Sequence, residues 1–152
     1  MRARGRRRDE RGQMGGLEAV IFGVLVFVLG TLAVASAWGV IDAKFAADAA
    51  AEAAARTYVE APAGQDPRVP AAEAAGRTWT GYGRSGTPRV TFSANALDRC
   101  APVTVTVRST INLVRLPLLG GGGHIDVSAS HTEVVDPYRS GLGRRHGACP
   151  PT

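Results

Sequence analysis

Few side chains in this sequence have the types and spacing that chemistry requires. The histidines stand alone, near no catalytic or metal-binding motif: His124, His131 and His146. The acidic residues of the same region are dispersed, so solvated positions explain them: Asp126, Glu133 and Asp136. The glycines at 120–123 lack the Lys-Ser/Thr that completes a phosphate-binding loop, so we interpret them as a hairpin turn. The sequence therefore predicts no catalytic residue, cofactor, metal or small-molecule substrate, and we expect the protein not to be an enzyme.

Cys100 and Cys149 are the only cysteines in the chain. Two cysteines in an oxidising compartment usually pair, and this bridge would close a loop of about 50 residues and add about 4 kcal/mol of stability. The alternative is two free thiols without a shared role. A zinc site is not expected, because two distant cysteines and scattered histidines lack the spacing of zinc ligands.

Glu18 is the last charged residue before a long apolar run, and a carboxylate at the edge of a membrane segment is costly and uncommon. The run from Ala19 to Ile41 contains 23 residues without a charge. A helix of that length spans about 34 Å, against about 30 Å of hydrocarbon in a bilayer. We therefore predict a basic tail at 1–18 and a transmembrane helix at 19–41.

The basic residues are concentrated at the N-terminus. Six arginines precede the apolar run, whereas the residues after it carry both signs. The positive-inside rule therefore predicts a cytoplasmic N-terminus and an extracytoplasmic C-terminal domain at the cell membrane. The net charge of +5 is mostly a property of this tail, so a nucleic-acid partner, which needs a basic patch on a folded face, is not expected. The alternative to an anchor is a secretory signal cleaved after Ala35-Ser36-Ala37.

The helical pattern continues beyond the membrane segment. Residues 42–60 are rich in alanine and contain no glycine or proline, so we predict an extracytoplasmic extension of the same helix. Charged residues four apart form one ridge: Lys44, Asp48, Glu52, Arg56 and Glu60. Small residues are expected to cover the opposite side as a packing face: Ala46, Ala49, Ala50, Ala53, Ala54 and Thr57. The alternative is that alanine is simply frequent in this chain.

Small residues also recur inside the membrane segment. The pairs Ala33/Ala37 and Ala35/Gly39 repeat the small-xxx-small pattern that favours contacts between helices in lipid. The lipid bilayer and a neighbouring helix are therefore the expected surroundings of this segment.

A small outer domain is predicted at 61–138. The proline-rich stretch 61–70 is expected to be a loop and 71–83 a short helix. Alternating apolar residues then predict antiparallel strands at 88–94, at 103–113 and around 125–129. We therefore predict an α+β fold, in which one long N-terminal helix packs on an antiparallel sheet of three or four strands. A Gly- and Arg-rich tail follows at 139–152, tethered by the disulfide.

Two stretches carry a family resemblance. Residues 11–61 read RGQMGGLEAVIFGVLVFVLGTLAVASAWGVIDAKFAADAAAEAAARTYVEA, and residues 127–142 read VSASHTEVVDPYRSGL. Together with the basic tail and the predicted outer sheet, they resemble the TadE-like family of tight-adherence (Flp-type) pilus assembly proteins, in its actinobacterial form. The resemblance implies a pilin-like fold and a minor pilin or pseudopilin that is anchored by its N-terminal helix. The implied partners are other pilins, the membrane platform proteins of the pilus and a prepilin peptidase.

The resemblance also implies a processing region within 1–18. The family pattern is a glycine, a cut, and a glutamate at the fifth mature position. This sequence departs from that pattern, because a cut after Gly12 makes Glu18 the sixth residue and only a cut after Gln13 makes it the fifth.

Three roles for Glu18 remain open. It is a helix N-terminal carboxylate stabilised by the macrodipole by about 0.3–1 kcal/mol, a recognition residue for the peptidase, or a charge that pairs with the amino terminus or an arginine of a neighbouring pilin. With the rest of the pattern, we favour the assembly role.

Overall fold

The structure, a computed structural model, describes residues 11–112 and 123–142. Its elements in chain order are α1 (Arg11–Glu60), α2 (Arg68–Gly81), β1 (Arg89–Phe92), β2 (Pro102–Asn112) and β3 (His124–Val134). The fold is α+β, as predicted. The chain divides into two compact units, with the boundary between residues 37 and 38.

The first unit contains the apolar part of α1, and its side chains are exposed. The largest of them include Val20, Ile21, Phe22, Phe27 and Val34, which are between 62% and 74% exposed. None of the most apolar 18-residue window is buried, and the helix is long and apolar enough to cross a membrane. These properties are compatible with a membrane anchor.

The second unit is built on the remaining part of α1, whose buried face consists of small residues and one tyrosine. Eight residues of this face are completely buried: Ala43, Ala46, Ala47, Ala50, Ala51, Ala54, Ala55 and Tyr58. The predicted packing face was therefore partly wrong, because Ala49, Ala53 and Thr57 are only half-buried. The predicted charged ridge is confirmed as exposed, with Arg56 donating to Glu52 at 3.1 Å.

The three strands form one antiparallel sheet in the order β1-β2-β3. Val103, Val105 and Val107 on the central strand are fully buried, and they belong to the same apolar cluster as the alanines of α1. Because alanine side chains end at Cβ, the bulk of this core comes from its larger side chains, which include these three valines. The second unit therefore has its core between α1, α2 and one face of the sheet.

Two aromatic side chains complete this core. Tyr58 is fully buried, stacks on Phe92 with ring centroids 5.3 Å apart, and donates its hydroxyl to the Ala94 carbonyl at 2.9 Å. Burial raises the pKa of the Tyr58 phenol, so it stays a neutral donor at ordinary pH. Trp79 of α2 is buried and donates its indole N–H to the Ser85 carbonyl at 3.3 Å.

The outer domain extends slightly beyond its predicted end at residue 138. Arg139 donates to the carbonyl of Ala61, and Leu142 packs against the core cluster. Cys100 has a positive φ of 62° and is not a free thiol. Cys149, His146 and most of the predicted turn at 120–123 lie outside the described residues, so the Cys100–Cys149 pairing stays a prediction.

Helix α2 begins three residues before its predicted start. Asp66 accepts a hydrogen bond from the backbone N–H of Arg68 at 3.0 Å, which turns the chain into the helix. Pro70 then falls in the first turn, where the missing N–H has no intrahelical role. The prolines that indicated a loop are thus compatible with the start of a helix.

The Asp66 carboxylate also binds the Arg68 guanidinium, and this pair predicts an acid-dependent loss of stability. Hydrogen bonds from the Arg68 side chain and backbone lower the pKa of Asp66 to about 2. Because the folded pKa lies below the unfolded one, the stabilisation is complete above about pH 4 and is lost as the pH falls through 2. We expect Asp66→Asn to lower Tm slightly at pH 7 and to match the wild type at pH 2.

Thermal unfolding of the full chain in detergent, followed by circular dichroism at pH 7, 4 and 2, measures this difference. Glu73→Gln is the matched control, because the Glu73 carboxylate is also exposed but lies 3.7 Å from Arg77, too far for the hydrogen bonds that Asp66 accepts. Equal Tm values for Asp66→Asn and the wild type at pH 7 would contradict the prediction.

Candidate functional site

Glu18 lies inside α1 rather than at its beginning. The helix starts at Arg11, seven residues earlier, and the Glu18 side chain is exposed and forms no ion pair among the described residues. The stabilising effect of the helix dipole on a carboxylate falls off within the first turn. This position therefore weakens the explanation of Glu18 as a carboxylate stabilised at a helix terminus. In the described part of the chain, no cation pairs with its charge.

Gly12 and Gln13 lie in the first turn of α1. Their predicted role is in processing, which the geometry of the helix does not test. That role stays a prediction.

The small residues of the membrane segment differ in how they are covered. Ala33, Ala35 and Ala37 are exposed, so their faces of the helix are open to another helix. Gly39, in the second unit, is half-buried, and its carbonyl accepts a hydrogen bond from Arg84 at 3.1 Å. Gly39 is thus partly covered by Arg84 of its own chain. The three alanines remain exposed in the described part of the chain.

Arg84, in the loop between α2 and β1, binds two residues of α1. Its guanidinium pairs with the Asp42 carboxylate as well as binding the Gly39 carbonyl, and its side chain is 21% exposed. Asp42 is the first charged residue after the predicted membrane segment. Sequence reasoning missed this contact, because a single arginine in a glycine-rich loop carries no local signal for a partner 42 residues away.

Lys44 links the same helix to the edge strand. It lies 3.9 Å from Asp48, the predicted partner one turn later, and it also donates to the backbone carbonyl of Ser128 on β3. The charged ridge on α1 is therefore solvated, and through Lys44 it also contacts the sheet.

The histidines form isolated hydrogen-bonded pairs. His131 Nε2 lies 3.2 Å from a carboxylate oxygen of Glu133, and His124 Nδ1 lies 2.6 Å from the Asn112 side-chain oxygen. The sequence analysis predicted that Glu133 is a solvated residue without a partner. In β3, residues two apart lie on the same face, so Glu133 is next to His131. Among residues 11–112 and 123–142, no group of three or more His, Cys, Asp or Glu side chains is arranged to hold a metal.

The outer face of the sheet is polar and rich in hydroxyl groups. Cross-strand pairs join Thr104 to Thr132 at 2.8 Å and Thr106 to Ser130 at 2.8 Å. Farther along the same two strands, Thr110 donates to Asp126 at 2.6 Å. Such pairs stabilise a solvent-facing sheet surface.

No protein-family model, curated protein or solved structure matches this chain. Function is therefore proposed from the residues and from the geometry of the described parts alone.

Proposed function

We propose that the protein is a single-pass membrane protein of the TadE-like type, which acts as a minor pilin or pseudopilin in a tight-adherence pilus. The observation that carries the proposal is α1, a 50-residue helix. Its apolar part is exposed, and its alanine-rich part supplies the core of an α+β outer domain. A simple anchor needs only the first of these parts.

The proposed orientation places the basic tail in the cytoplasm and the outer domain outside the cell membrane, in accordance with the positive-inside rule. The membrane segment then presents Ala33, Ala35 and Ala37 to neighbouring helices. Small residues at such positions allow close backbone approach, and packing of this kind drives helix association in lipid. The partners would be other pilins and the membrane platform proteins of the pilus.

Glu18 provides the specificity in this proposal. A carboxylate that is desolvated without a partner is expensive, so only a neighbour that presents an amino terminus or an arginine at the correct height relieves the cost. The charge would thereby set the register between adjacent helices. A prepilin peptidase acting near Gly12 and Gln13 would generate one such amino terminus. The role is structural and includes no catalytic step.

Affinity purification tests this function directly. A C-terminally tagged full chain, purified in mild detergent from cells that express it naturally, is expected to bring down pilins and pilus platform proteins. A tagged single-pass membrane protein of similar abundance is the control. Recovery of the chain with no more of these proteins than the control would contradict the proposal.

The mature N-terminus provides a second measurement. A start at Gln13 or Met14 would support prepilin processing, and an intact N-terminus would be that of an unprocessed anchor. A start at Trp38 would instead support the alternative, a secreted binding domain released from its signal sequence.

A further inference from the structure

We propose that Arg89 and Arg108 form a binding site for a tetrahedral oxyanion of the phosphate class on the outer face of the sheet. The site is independent of the proposed role in pilus assembly. It rests on the register of β1 and β2, on the exposure of both arginines, and on the groups that surround them.

The strand register places two positive charges directly opposite each other. Arg89 of β1 is the partner of Arg108 of β2, and both side chains are exposed on the polar face of the sheet. Residues directly opposite in an antiparallel pair have Cβ atoms about 5 Å apart, and like charges at that spacing are destabilising. The pair therefore has a cost that the fold itself does not require.

No described carboxylate forms an ion pair with either arginine. Neither guanidinium takes part in an ion pair or a side-chain hydrogen bond within residues 11–112 and 123–142, whereas Arg56, Arg68, Arg77 and Arg84 all pair with carboxylates. A local arrangement that opposes stability without internal compensation is typical of a functional site. The missing counter-charge would come from a bound anion.

The surroundings suit an oxyanion with several acceptor atoms. The two arginines line a shallow concavity together with hydroxyl side chains from the loop before β1 and from the neighbouring strands: Ser85, Thr87, Thr110 and Ser128. Asp126 also lines it, but its carboxylate accepts the Thr110 hydroxyl, and the lining keeps a net positive charge. Guanidinium groups present a fork of N–H donors that matches phosphate oxygens, and two adjacent forks can bind one tetrahedral group.

The phosphate group has two possible sources, a soluble phosphate or the headgroup of an anionic lipid. Both share the chemistry that the two arginines recognise. The experiment therefore includes one arm for each source.

In the first arm, the full chain in neutral detergent is titrated with sodium phosphate at constant ionic strength, and Tm is measured. We expect a saturable rise in Tm for the wild type, because a ligand that binds the folded state stabilises it. Arg89→Gln and Arg108→Gln are each expected to weaken the apparent affinity at least 10-fold, since each removes charge-assisted hydrogen bonds. Arg56→Gln changes the net charge equally, at an exposed position on α1 that shares no lining residue with the concavity, and is expected to respond like the wild type.

In the second arm, the same proteins are placed in nanodiscs of phosphatidylcholine with and without phosphatidylglycerol. A higher Tm in the anionic nanodiscs for the wild type and Arg56→Gln, but not for Arg89→Gln or Arg108→Gln, would identify a lipid headgroup as the source. A response confined to the phosphate titration would identify a soluble phosphate. Either result supports the site.

The stability of the variants without ligand is a further measurement. Because each substitution relieves repulsion, neither variant should unfold at a lower temperature than the wild type in phosphate-free, low-salt buffer. The proposal is overturned if the wild type responds in neither arm, if Arg89→Gln and Arg108→Gln respond like Arg56→Gln, or if both variants unfold earlier than the wild type without phosphate.

Discussion

The Glu18→Ala variant is expected to insert into the membrane like the wild type and to lose its association with other pilus components. In the proposed assembly, Glu18 pairs with a cationic group of a neighbouring chain in a medium of low dielectric constant. Removing one member of such a pair leaves the other charge desolvated and unpaired, at a cost of about 3–5 kcal/mol. We therefore expect the recovery of pilus partners to fall by about 100-fold or more.

Membrane insertion and partner recovery are measured separately in this experiment. Resistance of the variant to carbonate extraction reports insertion, and quantitative mass spectrometry of affinity-purified material reports association. Glu60→Ala is the matched control, because Glu60 is an exposed carboxylate at the opposite end of the same helix. Normal association of Glu18→Ala with pilus components would contradict the pilin role. Loss of association in Glu60→Ala as well would show that the effect is not specific to Glu18.

The Ala50→Leu variant is expected to destabilise the outer domain strongly. Ala50 is fully buried in the cluster that contains Val103, Val105 and Val107, so the three added carbon atoms must displace side chains of this core. Overpacking of a well-packed core costs about 1–3 kcal/mol, and occasionally more. Since a small domain is stable by only about 5–15 kcal/mol, this loss is a large share of the total.

Urea unfolding of the full chain in detergent, followed by near-ultraviolet circular dichroism of the buried Trp79 and Tyr58, measures the effect. Ala53→Leu is the matched control, because the same substitution three residues later falls on a half-buried position. We expect Ala53→Leu to change the free energy of unfolding by less than about 0.5 kcal/mol, as surface substitutions usually do. Equal losses in the two variants would mean that the burial of Ala50 does not determine the cost.

Several elements of the fold could be predicted because their signal is local. The uncharged run after Glu18 indicates a membrane-spanning helix by length alone, and an unbroken alanine-rich sequence indicates that the helix continues. The alternation of valine with polar residues at 103–107 predicts both a strand and its buried face. The structure confirms the helix and the strand, and it shows Val103, Val105 and Val107 fully buried.

The sequence by itself thus determined the fold class, an apolar helix long enough to cross a membrane, and the polarity of each sheet face, because these depend on composition and on periodicity along the chain. The tertiary structure decided which alanines of α1 are buried, since a helix with alanine on most sides has no hydrophobic contrast to orient it. It also brought Arg84 to Asp42 and placed Arg89 opposite Arg108. Such contacts depend on the register and packing of segments far apart in the chain, which no local pattern of residues specifies.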